Sequence, residues 1–259
     1  MKQDFRSIAI TGASSGIGAA LAKACAAPGV RLALSGRNEA RLAMVAGQCR
    51  TAGAEVATAL VDVRQAEAVA GWIAEQEASQ PLDLVIANAG VSAGTAGGDE
   101  DRSQTEAVFA VNLDGVINTV LPAAEAMAAR GRGQIAIMSS LAAFRGFPGA
   151  PAYCASKAAV RIWGEALRGS LAGRGVGVSV VCPGFVRSRM TDVNDFPMPF
   201  LMEAERAAGI ILHGLVRNRG RIAFPFPTYF WAWLLGVLPT AVTDRLLSRL
   251  PKKGGAAKG

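Results

Sequence analysis

The 259 residues lie near the upper size for a single hydrophobic core, so one domain is expected. Apolar residues make up 51% and charged residues 18%, with 30 glycines, a balance that excludes extended disorder and suits a parallel sheet buried on both faces by helices. A net charge of +7 would fit nucleic acid or an anionic surface, but no nucleic-acid-binding motif accompanies it, and much of the excess gathers at the end, where Arg245, Arg249, Lys252, Lys253 and Lys258 face only Asp244.

Over the first two-thirds of the chain, short β-branched runs alternate with longer Ala-rich segments of helical period, the pattern of βαβ units. Strands are predicted near Ser7–Thr11, Arg31–Ser35, Glu55–Val61, Leu82–Ala87, Gln134–Met138, Val176–Val181 and Arg221–Phe224, with helices in the gaps. The first strand runs directly into Thr11-Gly12-Ala13-Ser14-Ser15-Gly16-Ile17-Gly18, where a helix opens at about Ser15. Glycines there permit a tight turn and let the backbone approach a pyrophosphate, whose charge is stabilised by N–H groups at the helix N-terminus. Gly18 is expected to let that helix pack closely on the strand. One long helix is predicted from about Ala107 to Arg130 and another from Ala152 to Leu171, ended by Gly173 and Gly175.

Right-handed crossovers put helices on both faces and the strands' carboxyl ends along one edge, where ligands bind in such folds. The expected fold is a single-domain, Rossmann-type, doubly wound α/β sheet of about seven strands over residues 1–225, followed by an apolar and basic extension over 226–259.

Tyr153 and Lys157 are four apart and share one face of the second long helix. Reducing a ketone requires an acid that gives up a proton as hydride arrives; a free phenol near pKa 10 is poorly matched to neutral pH, and a neighbouring ammonium lowers it. Ser139-Ser140 ends the strand Ile135-Ala136-Ile137-Met138, and the loop from Ser140 to Tyr153 is long enough for both hydroxyls to converge on one carbonyl oxygen.

These residues resemble the classical short-chain dehydrogenase/reductase family, motif by motif, over roughly Arg6 to Phe224. The match comprises the TGxxxGxG turn at Thr11 to Gly18, Asp62 after the third strand, Asn88-Ala89-Gly90 after the fourth, Asn112 in Val111-Asn112-Leu113, Ser140, Tyr153-Cys154-Ala155-Ser156-Lys157 and Pro183-Gly184. The resemblance implies an oxidoreductase that interconverts a ketone or aldehyde and an alcohol by direct hydride transfer. It makes Tyr153 the general acid/base and Ser140 the hydroxyl that polarises and orients the carbonyl. Lys157 would lower the tyrosine pKa and bind the nicotinamide ribose, and Asn112 would help hold a water relay. Gly12, Ser14, Ser15, Gly16, Ile17, Gly18, Asp62, Val63, Asn88, Ala89, Gly90, Pro183, Gly184 and Val186 match cofactor-binding positions, with Asp62 and Val63 beside adenine and Asn88 stabilising the central strands. Ser188 stands where the family commonly has Thr and keeps the hydroxyl that reaches the nicotinamide carboxamide.

An acidic residue ending the second strand would accept hydrogen bonds from the adenosine ribose and repel a 2′-phosphate. The strand runs instead into Gly36-Arg37-Asn38, which leaves space and offers Arg37 to grip phosphate, so NADP(H) is the expected cofactor, with Ser15 and Arg41 assisting. Cys25, Cys49, Cys154 and Cys182 form no CxxC pair and His213 is the single histidine, so no metal is expected. The start of the chain lacks the apolar stretch of a secretory signal, and a cytoplasmic location is the expectation, with peripheral contact at a membrane surface left open.

Phe196-Pro197-Met198-Pro199-Phe200 falls where the family covers its substrate and suggests a hydrophobic one, lipid-like, acyl or steroid-like. The run Tyr229 to Leu238 is too short to span a bilayer, which leaves three placements: packing on the core or a neighbouring subunit, docking on a membrane surface, or a lid over the pocket. A homodimer or homotetramer is expected from the family. The competing function, a catalytically idle NADPH-binding sensor or scaffold, has no need for Ser140, Tyr153 and Lys157 together.

Overall fold

The computed structural model describes residues 5–92 and 99–247. Seven strands, β1 (Ser7–Ile10), β2 (Arg31–Gly36), β3 (Glu55–Leu60), β4 (Leu84–Ala87), β5 (Gly133–Met138), β6 (Val176–Pro183) and β7 (Arg221–Phe224), form one sheet in the order β3-β2-β1-β4-β5-β6-β7. Every pairing is parallel. The inner strands read as nearly unbroken apolar runs because both of their faces are covered, and β1, β2, β4 and β6 are buried at every position. Edge strand β3 instead leaves Glu55, Thr58 and Leu60 exposed.

Side chains alternate between two cores, as a strand's period of two requires. Ile8, Ile10, Leu32 and Leu34 point to the layer of α1 (Gly16–Cys25), α2 (Glu39–Thr51) and α8 (Ala204–Val216), the last preceded by the short α7 (Arg189–Asp192). Ala9, Ala33, Val85 and Ile135 point to the layer of α3 (Ala66–Ser79), α5 (Gly115–Ala129) and α6 (Pro151–Ala172). The expected doubly wound architecture is therefore present, with strand ends within two residues of their predicted places.

The helix expected over Ala107–Arg130 differs more. It starts five residues earlier, at α4 (Arg102–Phe109), because Asp101 caps it by accepting from the Gln104 N–H at 2.7 Å. A π-helical segment over Ala110–Asp114 then interrupts it before α5, and Asn112 sits at the centre of that segment. The second long helix, α6, begins with Pro151 in its first turn, one residue before the predicted start, and packs directly on the sheet. That contact needs Gly164, where a Cβ would stand 2.7 Å from Val180 Cγ2 and 2.9 Å from Ile137 Cδ1. Gly164→Ala is expected to destabilise the fold by about 1–3 kcal/mol through overpacking, read as a lower urea midpoint with unchanged slope. A midpoint equal to wild type would show that α6 does not depend on this approach.

Candidate active site

The chain leaves β1 into α1 on one side of the sheet and leaves β4 towards α4 and α5 on the other, so a crevice opens between their carboxyl ends. Thr11 and Asn88 hold it together. The Asn88 and Ala89 N–H groups donate to Thr11 Oγ1 at 3.1 and 3.2 Å, and Asn88 Nδ2 donates to the carbonyls of Thr11 and Gly12 at 3.0 and 3.1 Å. The turn approaches so closely that a Cβ on Gly12, whose φ is +67°, would lie 2.7 Å from Ala89 Cα. A Cβ on Gly18 would overlap the Asn88 amide and the Gly12 carbonyl, so this glycine seats α1 on the turn itself rather than on the strand. Ser15 precedes α1 without a side-chain cap, which leaves the helix N-terminus to face the crevice.

At the end of β5, Ser139 is buried and its hydroxyl donates to the Lys157 carbonyl at 2.8 Å, which locks α6 to the strand. Ser140 Oγ accepts from the Ala142 N–H at 3.1 Å and is also hydrogen-bonded to Tyr153. Lys157 is 4% exposed, and its ammonium donates to the Met138 carbonyl at 2.8 Å. Burial pulls that ammonium down to about 8. Desolvation raises the Tyr153 phenol above its usual range, and the Ser140 hydrogen bond opposes this.

One cleft of about 1020 Å³ contains every residue predicted to bind cofactor, together with Ser140, Tyr153 and Lys157. Asn112 stands apart: it is fully buried, accepts from the Val91 N–H at 2.8 Å, and donates to the Val91 carbonyl and Ser156 Oγ at 2.9 and 3.2 Å. Its side chain thus clamps the strand β4 exit to the π segment and α6, behind the cleft wall. Asp62 is held by Arg64, with Oδ2 2.5 Å from Nη2, and this pairing followed by the field of Arg37 keeps its carboxyl below the usual range. Val63 packs on Gly115, and Ser188 packs on Gly16, where a Cβ would stand 3.1 Å away. Arg41 lines the cleft with a buried Nε that has no partner among the described residues.

Sequence reasoning missed several contributors. Thr11 entered only as a turn residue, although its hydroxyl ties the two sides of the crevice together, and the Met138 carbonyl that holds Lys157 carries no side-chain signal. Thr228 and Ala232, from α9 (Phe226–Val237), also line the cleft. Their helix places them one turn apart, a signal visible only once the helix is known to face inward.

Residues 6–196 match the short chain dehydrogenase family model. The chain belongs to this family. The short-chain dehydrogenase is 37% identical over 250 residues to an uncharacterised oxidoreductase of Myxococcus xanthus, covering 96% of this chain and 99% of the relative. It is 34% identical over 249 residues to uncharacterised oxidoreductases of Mycobacterium tuberculosis, covering 92% and 96%. Among solved structures, a short chain dehydrogenase/reductase of Burkholderia phymatum in complex with NAD superposes with a TM-score of 0.83 at 26% identity, covering 99% of this chain and 100% of that one. A Sphingobium yanoikuyae short-chain dehydrogenase in complex with NADPH gives 0.78 at 25% identity, covering 96% and 98%.

The buried lysine has a measurable sign. Because folding lowers the Lys157 ammonium to about 8 from the usual lysine value of about 10.4, the unfolded chain binds its proton more tightly between those limits. The lysine's contribution to stability therefore rises with pH across that window and is least favourable below about 8. Lys157→Met is expected to melt no lower than wild type at pH 7, with its relative advantage shrinking as pH approaches 10. A melting point several degrees below wild type at pH 7 would contradict this.

Proposed function

We propose that this short-chain dehydrogenase interconverts an apolar ketone or aldehyde with its alcohol, using NADP(H). The observation that carries the reading is the placement of Ser140, Tyr153 and Lys157 together in the same cleft that begins at the uncapped N-terminus of α1. The residues fit a dinucleotide: the positive φ at Gly12 and Gly16 keeps the turn clear of side chains, and Arg41 Nε is a buried donor awaiting an acceptor. When bound, NADPH supplies the hydride that adds to the carbonyl carbon.

Ser140 donates a hydrogen bond to the carbonyl oxygen and Tyr153 passes its phenol proton to that oxygen as charge develops. The upward shift of the phenol keeps this proton in place through neutral pH, so the acid form needed for reduction is the abundant one. Lys157, charged below about 8, stabilises the phenolate left behind. Oxidation requires the scarcer phenolate and is favoured as pH rises.

The two solved relatives were captured with NAD and with NADPH, so the choice between cofactors rests on this chain. Gly36 leaves room beside Ser14, Arg37 and Arg41 line this end of the cleft, and its one lining carboxylate, Asp62, is already paired with Arg64. Arg37 is exposed and forms no ion pair among the described residues, which suits it to a 2′-phosphate. The substrate end is walled by Leu141, Phe147, Phe185, Phe196, Pro197 and Pro199, which favours an apolar carbonyl compound.

Tyr153→Phe is expected to lower kcat/KM for NADPH-dependent ketone reduction by about 10²–10⁴ while leaving NADPH affinity within about twofold. Arg37→Ala is expected to weaken NADPH by about tenfold or more and to leave NADH unchanged. Full turnover by the tyrosine variant would remove the proton chemistry. Unchanged NADPH affinity in the arginine variant would remove the cofactor assignment.

A further inference from the structure

We infer that α9 is an interfacial helix that seats the mouth of the cleft on an anionic lipid bilayer. Its inward side is already filled. Ala232 is buried, Tyr229 packs edge-on against Phe144 at 5.4 Å, and the guanidinium groups of Arg161 and Arg221 lie 4.7 and 5.5 Å from the centre of the same ring. The approach at Gly236 is so close that a Cβ would overlap the Phe144 carbonyl.

The outward side carries a second apolar stripe. Phe226, Phe230, Trp233 and Val237 fall at i, i+4, i+7 and i+11 and are 72%, 42%, 44% and 60% exposed, with Trp231 beside them at 61%. Their rings form one patch, since Phe230 lies 6.4 Å from Phe226, 5.8 Å from Trp231 and 6.3 Å from Trp233. No charged residue occurs between Arg221 and Asp244. A contiguous exposed patch of this kind marks an interaction site, and its tryptophans suit headgroup depth. The helix has 12 residues and rises about 18 Å, so it lies along a bilayer rather than across one.

Charge selects the occupant. Residues 245–259 contain Arg245, Arg249, Lys252, Lys253 and Lys258 and no acid, the last four lying beyond the described residues, and the preceding Asp244 is 2.8 Å from Arg145. A second copy of the chain carries the same uncompensated cations and offers them no opposite charge, whereas anionic headgroups do. Thr228 and Ala232, on the inward side of the same helix, line the cleft, which places the catalytic chamber about one helix diameter, roughly 10–12 Å, from the lipid. The docking itself needs no part of the catalytic reading; delivery of an apolar substrate from the bilayer rests on that reading.

The test uses the full-length protein with vesicles of phosphatidylcholine, with or without a third phosphatidylglycerol, by cosedimentation and by tryptophan quenching with brominated acyl chains. Expected are binding to the anionic vesicles, weakened by high salt, and quenching of the α9 tryptophans, because of the other two Trp72 is buried in the core and Trp163 packs against it, half-buried on α6. A full-length Phe230→Ser/Trp233→Ser chain should keep its melting point and NADPH affinity but bind vesicles about tenfold or more weakly, and Lys252→Glu/Lys253→Glu should also weaken binding. Absence of vesicle binding, absence of quenching, or equal binding by the serine variant would overturn the inference. So would a wild-type dimer in sedimentation velocity that the serine variant converts to monomer, which would assign the stripe to a second copy.

Discussion

The site depends first on one constraint: two neighbouring parallel strands, β1 and β4, send their chains to opposite faces of the sheet. Backbone cannot fill the gap this leaves at their carboxyl ends. The Thr11–Asn88 hydrogen bonds keep that gap at a fixed width, and the bare backbone at Gly12 keeps it open to a ligand. From this point the cleft extends one way to the arginines near the end of β2 and the other way to the hydroxyls at the end of β5.

Burial of charge is the second organising cost. Lys157 sits in the core with one carbonyl partner and gives up part of its basicity for it. A fold selected for stability alone would not place an ammonium there, and its presence beside a desolvated phenol and a serine hydroxyl is what the proposed proton chemistry requires. Elsewhere the chain keeps its cations at low cost. Arg221 and Arg161 share Glu165 and lie over Phe144, so the loop that follows Ser140, the edge of the sheet and the base of α9 are joined by one cluster.

Much of this was legible in the residues. The strands were readable because parallel strands covered on both faces must be apolar throughout, and Tyr153 and Lys157 because helical spacing forces them onto one face. What escaped depends on contacts between distant segments. The break at Ala110–Asp114 is not written in local propensity, and it accompanies Asn112, whose amide is committed to Val91 and Ser156. The contact of Asp62 within the chain also escaped, since Arg64 reaches it from two residues away. The tail offered three placements, and only the packing of Tyr229 and Ala232 against the loop after Ser140 separates its inward wall from its outward stripe.

The central claim is direct hydride transfer to a carbonyl carbon within this cleft. Its most direct measurement is turnover of a panel of long-chain 3-oxoacyl and steroid ketones with NADPH carrying deuterium at nicotinamide C4, prepared in each stereochemical form, with the product alcohol read by mass spectrometry. The account expects one form of the label to arrive at the carbinol carbon without exchange with solvent. Alcohol formed without deuterium from either form, or NADPH bound with no ketone reduced, would contradict it.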